Sequence, residues 1–244
     1  MESARKTERG AMIDTYSLVV GVVGTSNVGK TTFINDVVTS AENTGRDKDF
    51  QWTVFGRDYR AEIERRGLAI NRNGDESCQQ AIHDVLLQNV RDAVDEPFLR
   101  RMLMDRTVLD SFAYTYWHHR YGTAHISEDT LSRMWRQVVA YSKAYSAILY
   151  IPLSKCGDVG VVDDKFRDTN AEYRRQIDLI FQAEFLALSR SGANMRLMYG
   201  DRKRRVDWFY AIEGVIAHEN LGFDIRDGFE KCLDEVIHER DRIV

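Results

Sequence analysis

The chain has 244 residues, of which 43% are hydrophobic and 30% are charged, with a formal net charge of −4. These values are typical of one soluble α/β domain with a sizeable core. The negative net charge excludes a basic field over the whole surface that would attract nucleic acid, but it does not exclude a local basic groove. No apolar run approaches the roughly 18 residues of a membrane span. Residues 1–14 are polar and lack a signal-peptide core, so we expect a flexible leader before a domain at 15–244.

The cysteines indicate the compartment. Cys78, Cys156 and Cys232 are far apart, and the sequence contains no C-x-x-C pair. This spacing favours reduced thiols in a cytoplasmic protein over a structural zinc site or a disulfide framework.

The predicted elements begin with SLVVGVV, residues 17–23, a β-branched apolar run typical of a buried parallel strand. A glycine-rich loop and a helix at 30–38 follow. Further strands are predicted at 51–55, 100–105, 146–153 and 195–199, and further helices at 57–66, 76–94, 107–121, 128–142, 170–188, 205–217 and 226–241. Because strands alternate with helices, the pattern predicts a three-layer α/β sandwich with a parallel sheet.

The segment GTSNVGKT, residues 24–31, matches the phosphate-binding pattern G-x-x-x-x-G-K-[ST] between a strand and a helix. Its glycines allow a tight turn whose backbone N–H groups converge on phosphate oxygens. Lys30 is expected to reach the β- and γ-phosphates, and Thr31 to place its hydroxyl on Mg²⁺. The predicted nucleotide-binding set is Gly24, Asn27, Val28, Gly29, Lys30, Thr31 and Thr32.

The loop reads like that of a GTPase, but the motifs that complete a GTP switch are absent. A GTPase carries D-x-x-G after its third strand, where this chain has Asp105-Arg106-Thr107-Val108. The guanine-reading motif N-K-x-D occurs nowhere in the sequence. We therefore expect ATP as the nucleotide, with Mg²⁺.

Asp105 and Arg106 end the third predicted strand, at the edge of the sheet where the phosphate loop lies. The carboxylate is expected to bind Mg²⁺ or to accept the proton of an attacking hydroxyl, and the guanidinium to neutralise phosphate charge. Asp105 is also a suitable helix N-cap, and the two roles are compatible. Asp110 and Tyr114 share a helix face with Arg106, so they are candidates for an acceptor pocket.

A family resemblance rests on three segments: FGRDYRAEI at 55–63, ESCQQAI at 76–82 and MDRTVLDSFAY at 104–114. They resemble small P-loop kinases, in particular the group containing the nicotinamide riboside kinase domain and related, often phage-encoded, predicted nucleotide kinases. The resemblance covers about residues 17–210. It implies that Arg57 and Asp58 lie near the acceptor, and that Gln79 (or Gln80) contacts its base or ring.

One departure from these relatives concerns the general base. Several relatives carry an acid at the end of the second strand, where this chain has Val54. The general base is therefore either Asp105 or Asp58.

Two basic segments complete the predicted site. After the fourth strand, a lid is expected near 154–178, where Arg167 and Arg174 would close over the phosphates and exclude water. After the last strand, the basic turn GDRKRR at 200–205 is expected to contact the adenine of the donor, with Arg205 as the candidate. The alternatives are a nucleic-acid surface and a solvated turn.

The sequence thus predicts an ATP-dependent phosphotransferase acting on a hydroxyl or phosphate of a nucleoside- or nucleotide-like acceptor. One alternative is a kinase for a hydroxymethylated pyrimidine within DNA, which needs base flipping and a basic approach surface. Another is a regulatory NTPase without an acceptor. No membrane partner is expected, and the oligomeric state stays open.

Overall fold

The computed structural model describes residues 17–69, 71–96, 101–122, 125–156 and 168–219. In this part of the chain, one parallel five-stranded sheet has the order β2-β3-β1-β4-β5. The strands are β1 (Leu18–Val23), β2 (Thr53–Val54), β3 (Arg101–Asp105), β4 (Ala147–Tyr150) and β5 (Met195–Leu197). The predicted α/β sandwich with a parallel sheet is confirmed.

The described helices follow the predicted order, apart from the short α2, which was not predicted. They are α1 (Lys30–Thr39), α2 (Ala41–Thr44), α3 (Tyr59–Arg66), α4 (Glu76–Asp95), α5 (Val108–Tyr121), α6 (Glu128–Tyr141), α7 (Ala171–Arg190) and α8 (Arg202–Glu219). Side-chain caps explain where several of them begin, because a side-chain oxygen accepts a hydrogen bond from a backbone N–H of the first turn. The capping residues are Asp58, Asp75, Thr107, Ser127 and Asn170.

Two hydrophobic cores cover the two faces of the sheet. Strand β1 alternates between them, with Val19 and Val23 in one core and Val20 and Val22 in the other. The first core packs against helices α3 to α7, and the second against α1 and α8. This alternation follows the two-residue period of a strand and makes β1 the centre of a three-layer structure.

The basic segment at 200–205 is the clearest difference from the prediction. It was expected as a turn, but α8 already begins at Arg202. Asp201 accepts a hydrogen bond from the backbone N–H of Arg204 at 2.9 Å, which starts the helix. Arg202 is unfavourable at a positive helix end, and its ion pair with Asp36 at 2.5 Å offsets this charge.

Several predicted features lie outside the described residues: the leader at 1–14, the last helix at 226–241, Cys232 and the central part of the lid, including Arg167. The described cysteines, Cys78 and Cys156, are buried free thiols. None of the described helices is long and apolar enough to cross a bilayer.

The buried His83 makes the fold sensitive to acid. Its ring lies between Ser111 Oγ, at 2.8 Å, and Gln137 Oε1, at 3.1 Å, and burial lowers its pKa to about 4. The unfolded chain, with a pKa near 6.5, binds a proton that the folded protein rejects. Stability is therefore lost as the pH falls below about 6.5.

We expect His83 to account for about 2 kcal/mol of the unfolding free energy lost between pH 7 and pH 5. Urea unfolding at the two pH values measures this loss. His83→Gln should lose correspondingly less, whereas the exposed His125→Gln should behave like the wild type. Equal losses in all three proteins would contradict a buried neutral His83.

Candidate active site

The phosphate loop joins β1 to α1 at the carboxyl edge of the sheet. Gly24, Asn27 and Gly29 have positive φ angles of 142°, 58° and 85°. A Cβ atom on Gly24 would lie 2.6 Å from the carbonyl oxygen of Ile151, so no larger residue fits there. The positive φ angles and this close approach explain why both glycines of the motif are needed.

Three cationic side chains bind the carbonyl oxygens of five consecutive loop residues, 24 to 28. Lys30 Nζ donates to Gly24 at 2.5 Å and to Thr25 at 2.8 Å. The other two cations are Arg174, which donates to Ser26 at 3.1 Å and Asn27 at 3.3 Å, and Arg205, which donates to Val28 at 2.8 Å. Because buried carbonyls need donors, these cations hold the loop in shape.

Lys30 is 6% exposed, and burial lowers the pKa of its ammonium to about 7. The nearby positive charge of Arg106 acts in the same direction, whereas Asp110 and Asp105 oppose it. An incoming triphosphate would favour the charged form and raise this pKa again. Thr32, the next motif residue after Thr31, lies in the first turn of α1 and is half-buried.

Asp105 connects the loop to the end of β3. The hydroxyl of Thr31 donates to Asp105 Oδ2, whereas Asp105 Oδ1 is buried without a hydrogen-bond partner among the described residues. A carboxylate and a hydroxyl suit Mg²⁺, which binds few protein oxygens together with phosphates and water. In the described part of the chain, no group of three or more His, Cys, Asp or Glu side chains is arranged so that it could hold a metal ion.

Arg106 follows Asp105 in a strained left-handed conformation with φ 83°. Its side chain is 10% exposed and lies 3.6 Å from Asp110 Oδ1. The guanidinium carbon is 5.3 Å from the ring centre of Tyr59 and 5.8 Å from that of Tyr114. These cation–π contacts and the ion pair fix the guanidinium beside Asp105.

Asp110 has a structural role that the sequence reasoning did not assign to it. Its Oδ2 accepts from the backbone N–H of Thr107 at 2.9 Å and completes a capping box at the start of α5. Burial raises its pKa to about 6, and the positive charges of Lys30 and Arg106 oppose that rise. Asp110 therefore lies behind Arg106 and supports it.

A cleft of about 190 Å³ opens beside Asp105, between the ends of β2 and β3. It brings together four predicted site residues: Arg57, Asp58, Asp105 and Arg106. Asp58 caps α3, and its side chain is 57% exposed. Arg57, whose side chain is 71% exposed, forms an ion pair with Asp92 at the rim.

Other predicted residues lie away from this cleft. Gln79 is 2% exposed and packs between helices, where its Oε1 accepts from Thr115 at 3.4 Å. Tyr114 does not line the cleft, although its ring contacts Arg106, which does. The contact of Gln79 with an acceptor stays a prediction.

Arg174, predicted for the lid, and Arg205, predicted for adenine, are buried and bind carbonyl oxygens of the phosphate loop. Arg174 is 8% exposed and Arg205 is 2% exposed. Besides Val28, Arg205 binds the carbonyls of Gly200, at 2.9 Å, and Cys156. A catalytic role for Arg174 and an adenine contact for Arg205 stay predictions.

Three residues at the cleft were given no role from the sequence: Tyr59, Arg60 and Asn89. Asn89 accepts from the N–H of Arg57 at 2.8 Å and donates to its C=O at 3.1 Å, which fixes the loop after β2. Tyr59 and Arg60 belong to the segment FGRDYRAEI, so the resemblance pointed to them without giving them a role. Asn89 lies in α4, and no sequence pattern connects it to that loop.

Solved structures of NadR proteins share this fold. A NadR protein in complex with NR has a TM-score of 0.54 and 14% identity, over 85% of this chain and 52% of the NadR chain. A NadR protein in complex with NAD and AMP-PNP has a TM-score of 0.53 and 14% identity, over 85% of this chain and 50% of its own.

At this identity the likeness shows the fold alone, and the chain spans about half the length of the NadR chains. No protein-family model matches the sequence. No curated protein matches the sequence either. The likeness confirms the α/β fold with a parallel sheet that the sequence predicts.

Removing Arg174 should loosen the phosphate loop. Arg174→Ala removes the hydrogen bonds that Arg174 donates to the carbonyls of Ser26 and Asn27, at a cost of about 1–3 kcal/mol in unfolding free energy. Nucleotide affinity should fall as well. The neighbouring Arg175→Ala removes an exposed arginine paired with Glu172, so it is the matched control. Thermal unfolding and AMP-PNP titration measure both effects, and identical behaviour of the two variants would refute the bracing role.

The low pKa of Lys30 predicts that nucleotide binding takes up a proton. At pH 8, ATP is fully ionised, whereas Lys30 with a pKa of about 7 is mostly neutral until the triphosphate binds. Affinity should therefore fall as the pH rises above 7. Calorimetry in two buffers of different ionisation enthalpy detects the uptake. Lys30→Arg, which is always charged, should show none, and a buffer-independent wild-type enthalpy would contradict the prediction.

Proposed function

We propose that the protein is an ATP-dependent kinase that transfers the γ-phosphoryl group to a nucleoside- or nucleotide-like acceptor in the cleft between β2 and β3. The observation that carries this proposal is the position of Asp105. Its carboxylate binds Thr31 of the phosphate loop and also lines the cleft. The loop and the cleft are therefore adjacent compartments that share one carboxylate, as donor and acceptor sites must be.

The donor site is supported by the loop and by the NadR structure in complex with AMP-PNP, an analogue of ATP. Mg²⁺, held by Thr31 and Asp105, would neutralise charge on the β- and γ-phosphates. Lys30 would bind the phosphates through its ammonium, whose charged form the phosphates favour. The reaction forms a bond from the acceptor oxygen to the γ-phosphorus, and the bond to the β–γ bridging oxygen breaks, which releases ADP.

For a hydroxyl acceptor, Asp105 or Asp58 takes the proton. Asp105 is the nearer of the two to the loop, because it binds Thr31 directly. Arg106 compensates the charge of the moving phosphoryl group from its fixed position beside Asp105. The rings of Tyr59 and Tyr114 hold it there, so little reorganisation is needed during transfer.

Incubation with γ-labelled ATP and a panel of nucleosides, nucleoside monophosphates and hydroxymethylated DNA tests the proposal. Label should appear in a free nucleoside or nucleotide. If label appears only in DNA, the acceptor is a modified base within DNA and not a free nucleoside or nucleotide. Release of free phosphate without any labelled acceptor would overturn the kinase proposal in favour of an NTPase.

Two substitutions test the machinery. Lys30→Ala should abolish transfer, because it removes a cation that binds the phosphates, and Asp105→Asn should lower turnover at least about tenfold, because it removes the carboxylate that would hold Mg²⁺ or take the proton. The exposed Lys48→Ala and Asp95→Asn are matched controls that should keep wild-type rates. Circular dichroism and thermal unfolding confirm that the variants fold. Full activity of Lys30→Ala would contradict the proposal. A larger loss of turnover in Asp58→Asn than in Asp105→Asn would assign the general base to Asp58.

A further inference from the structure

The cleft offers charged groups to its occupant. Five of its lining residues are charged: Arg57, Asp58, Arg60, Asp105 and Arg106. The amide of Asn89, the remaining polar side chain apart from the phenol of Tyr59, is occupied on both sides by the backbone of Arg57. The three arginines outnumber the two carboxylates, and the planar guanidinium group suits a phosphate anion.

Tyr59 brings two of these arginines together. The guanidinium carbon of Arg60 lies 5.4 Å from the centre of the Tyr59 ring, and that of Arg106 lies 5.3 Å from it. Tyr59 itself is 6% exposed and packs in the core, so the ring is a fixed support. The carboxylate of Asp58 lies 3.8 Å from the Arg60 guanidinium and is 57% exposed, so this ion pair is a weak one.

We propose that Arg60 and Arg106 bind a phosphate group of the acceptor, and that Tyr59 is the positioning residue for both guanidinium groups. This inference rests on the proposed kinase function and narrows the acceptor to a nucleoside monophosphate. The attacking atom is then an oxygen of that phosphate. It forms a bond to the γ-phosphorus, the bond to the β–γ bridging oxygen breaks, and the products are ADP and a nucleoside diphosphate.

The state of the two carboxylates agrees with this step. A phosphate oxygen is already ionised at neutral pH, so no general base is required. Asp105 accepts from Thr31, and Asp58 accepts from the backbone N–H of Arg60 to cap α3. Both carboxylates thus have other tasks, and neither has to remove a proton.

Steady-state kinetics with matched pairs of nucleosides and their monophosphates test the inference. The monophosphate should be preferred at least about hundredfold in kcat/KM, since two charge-assisted contacts are at stake. Transfer to nucleosides with equal efficiency would overturn the monophosphate assignment and leave the kinase function standing. Transfer to no acceptor would overturn both.

Substitutions test whether Arg60 binds the phosphate group of the acceptor. Arg60→Gln should raise KM for the monophosphate about tenfold or more, with little change in KM for a nucleoside or in AMP-PNP affinity. Arg65→Gln, on the same helix but paired with Glu62 and exposed, is the control that should keep both KM values. An unchanged monophosphate KM in Arg60→Gln would remove Arg60 from the site.

The positioning role of Tyr59 has a separate readout. Tyr59→Phe keeps the ring and should stay within about threefold of wild type, whereas Tyr59→Leu should raise the monophosphate KM as Arg60→Gln does. Inorganic sulfate is a probe that needs no transfer: it should compete with the monophosphate in wild type and in Tyr59→Phe, and lose that ability in Arg60→Gln. A Tyr59→Leu protein that folds and keeps the wild-type KM would contradict the positioning role.

Discussion

The candidate site depends on the hydrogen bonds that three cationic side chains donate to five carbonyl oxygens of the phosphate loop. The carbonyls of residues 24 to 28 accept from Lys30, Arg174 and Arg205. A loop whose carbonyl oxygens are satisfied in this way has its N–H groups left for phosphate oxygens. The cations come from α1, α7 and α8, so helices on both faces of the sheet fix one short loop.

The second constraint is the register of the sheet. Because β1 and β3 are parallel neighbours, Val22 pairs with Asp105, and the carboxylate lies at the edge where the loop starts. The N–H of Arg106 then donates to Val22 at 3.1 Å, which holds Arg106 in its left-handed conformation. Its guanidinium consequently turns toward Tyr59, Tyr114 and Asp110. Pairing between two strands thus positions both the candidate metal ligand and the candidate charge-compensating arginine.

The sequence predicted the elements well and the site in part. Strand β1, the loop and α1 follow from a β-branched run and a spaced glycine motif, which are local signals. Asp105 and Arg106 were found because strand ends meet at one edge of a parallel sheet. Arg174 and Arg205 were expected to be open to a ligand, yet both are buried against backbone carbonyls. Their partners in the loop, residues 26 to 28, lie 147 to 177 residues away, and no local pattern encodes such contacts.

By itself, the sequence determined the phosphate loop, the alternation of strands and helices, and the carboxylate at the end of β3, because each depends on neighbouring residues and on hydrophobic periodicity. Only the tertiary structure decided which charges face the cleft. Asp110 and Tyr114 lie in α5, which begins after Arg106, and neither lines the cleft, whereas Tyr59 and Arg60 reach the cleft from α3. Which charged side chains line the cleft depends on how α3, α4 and α5 pack on the sheet. This packing is determined by the burial of side chains from segments that are distant in sequence.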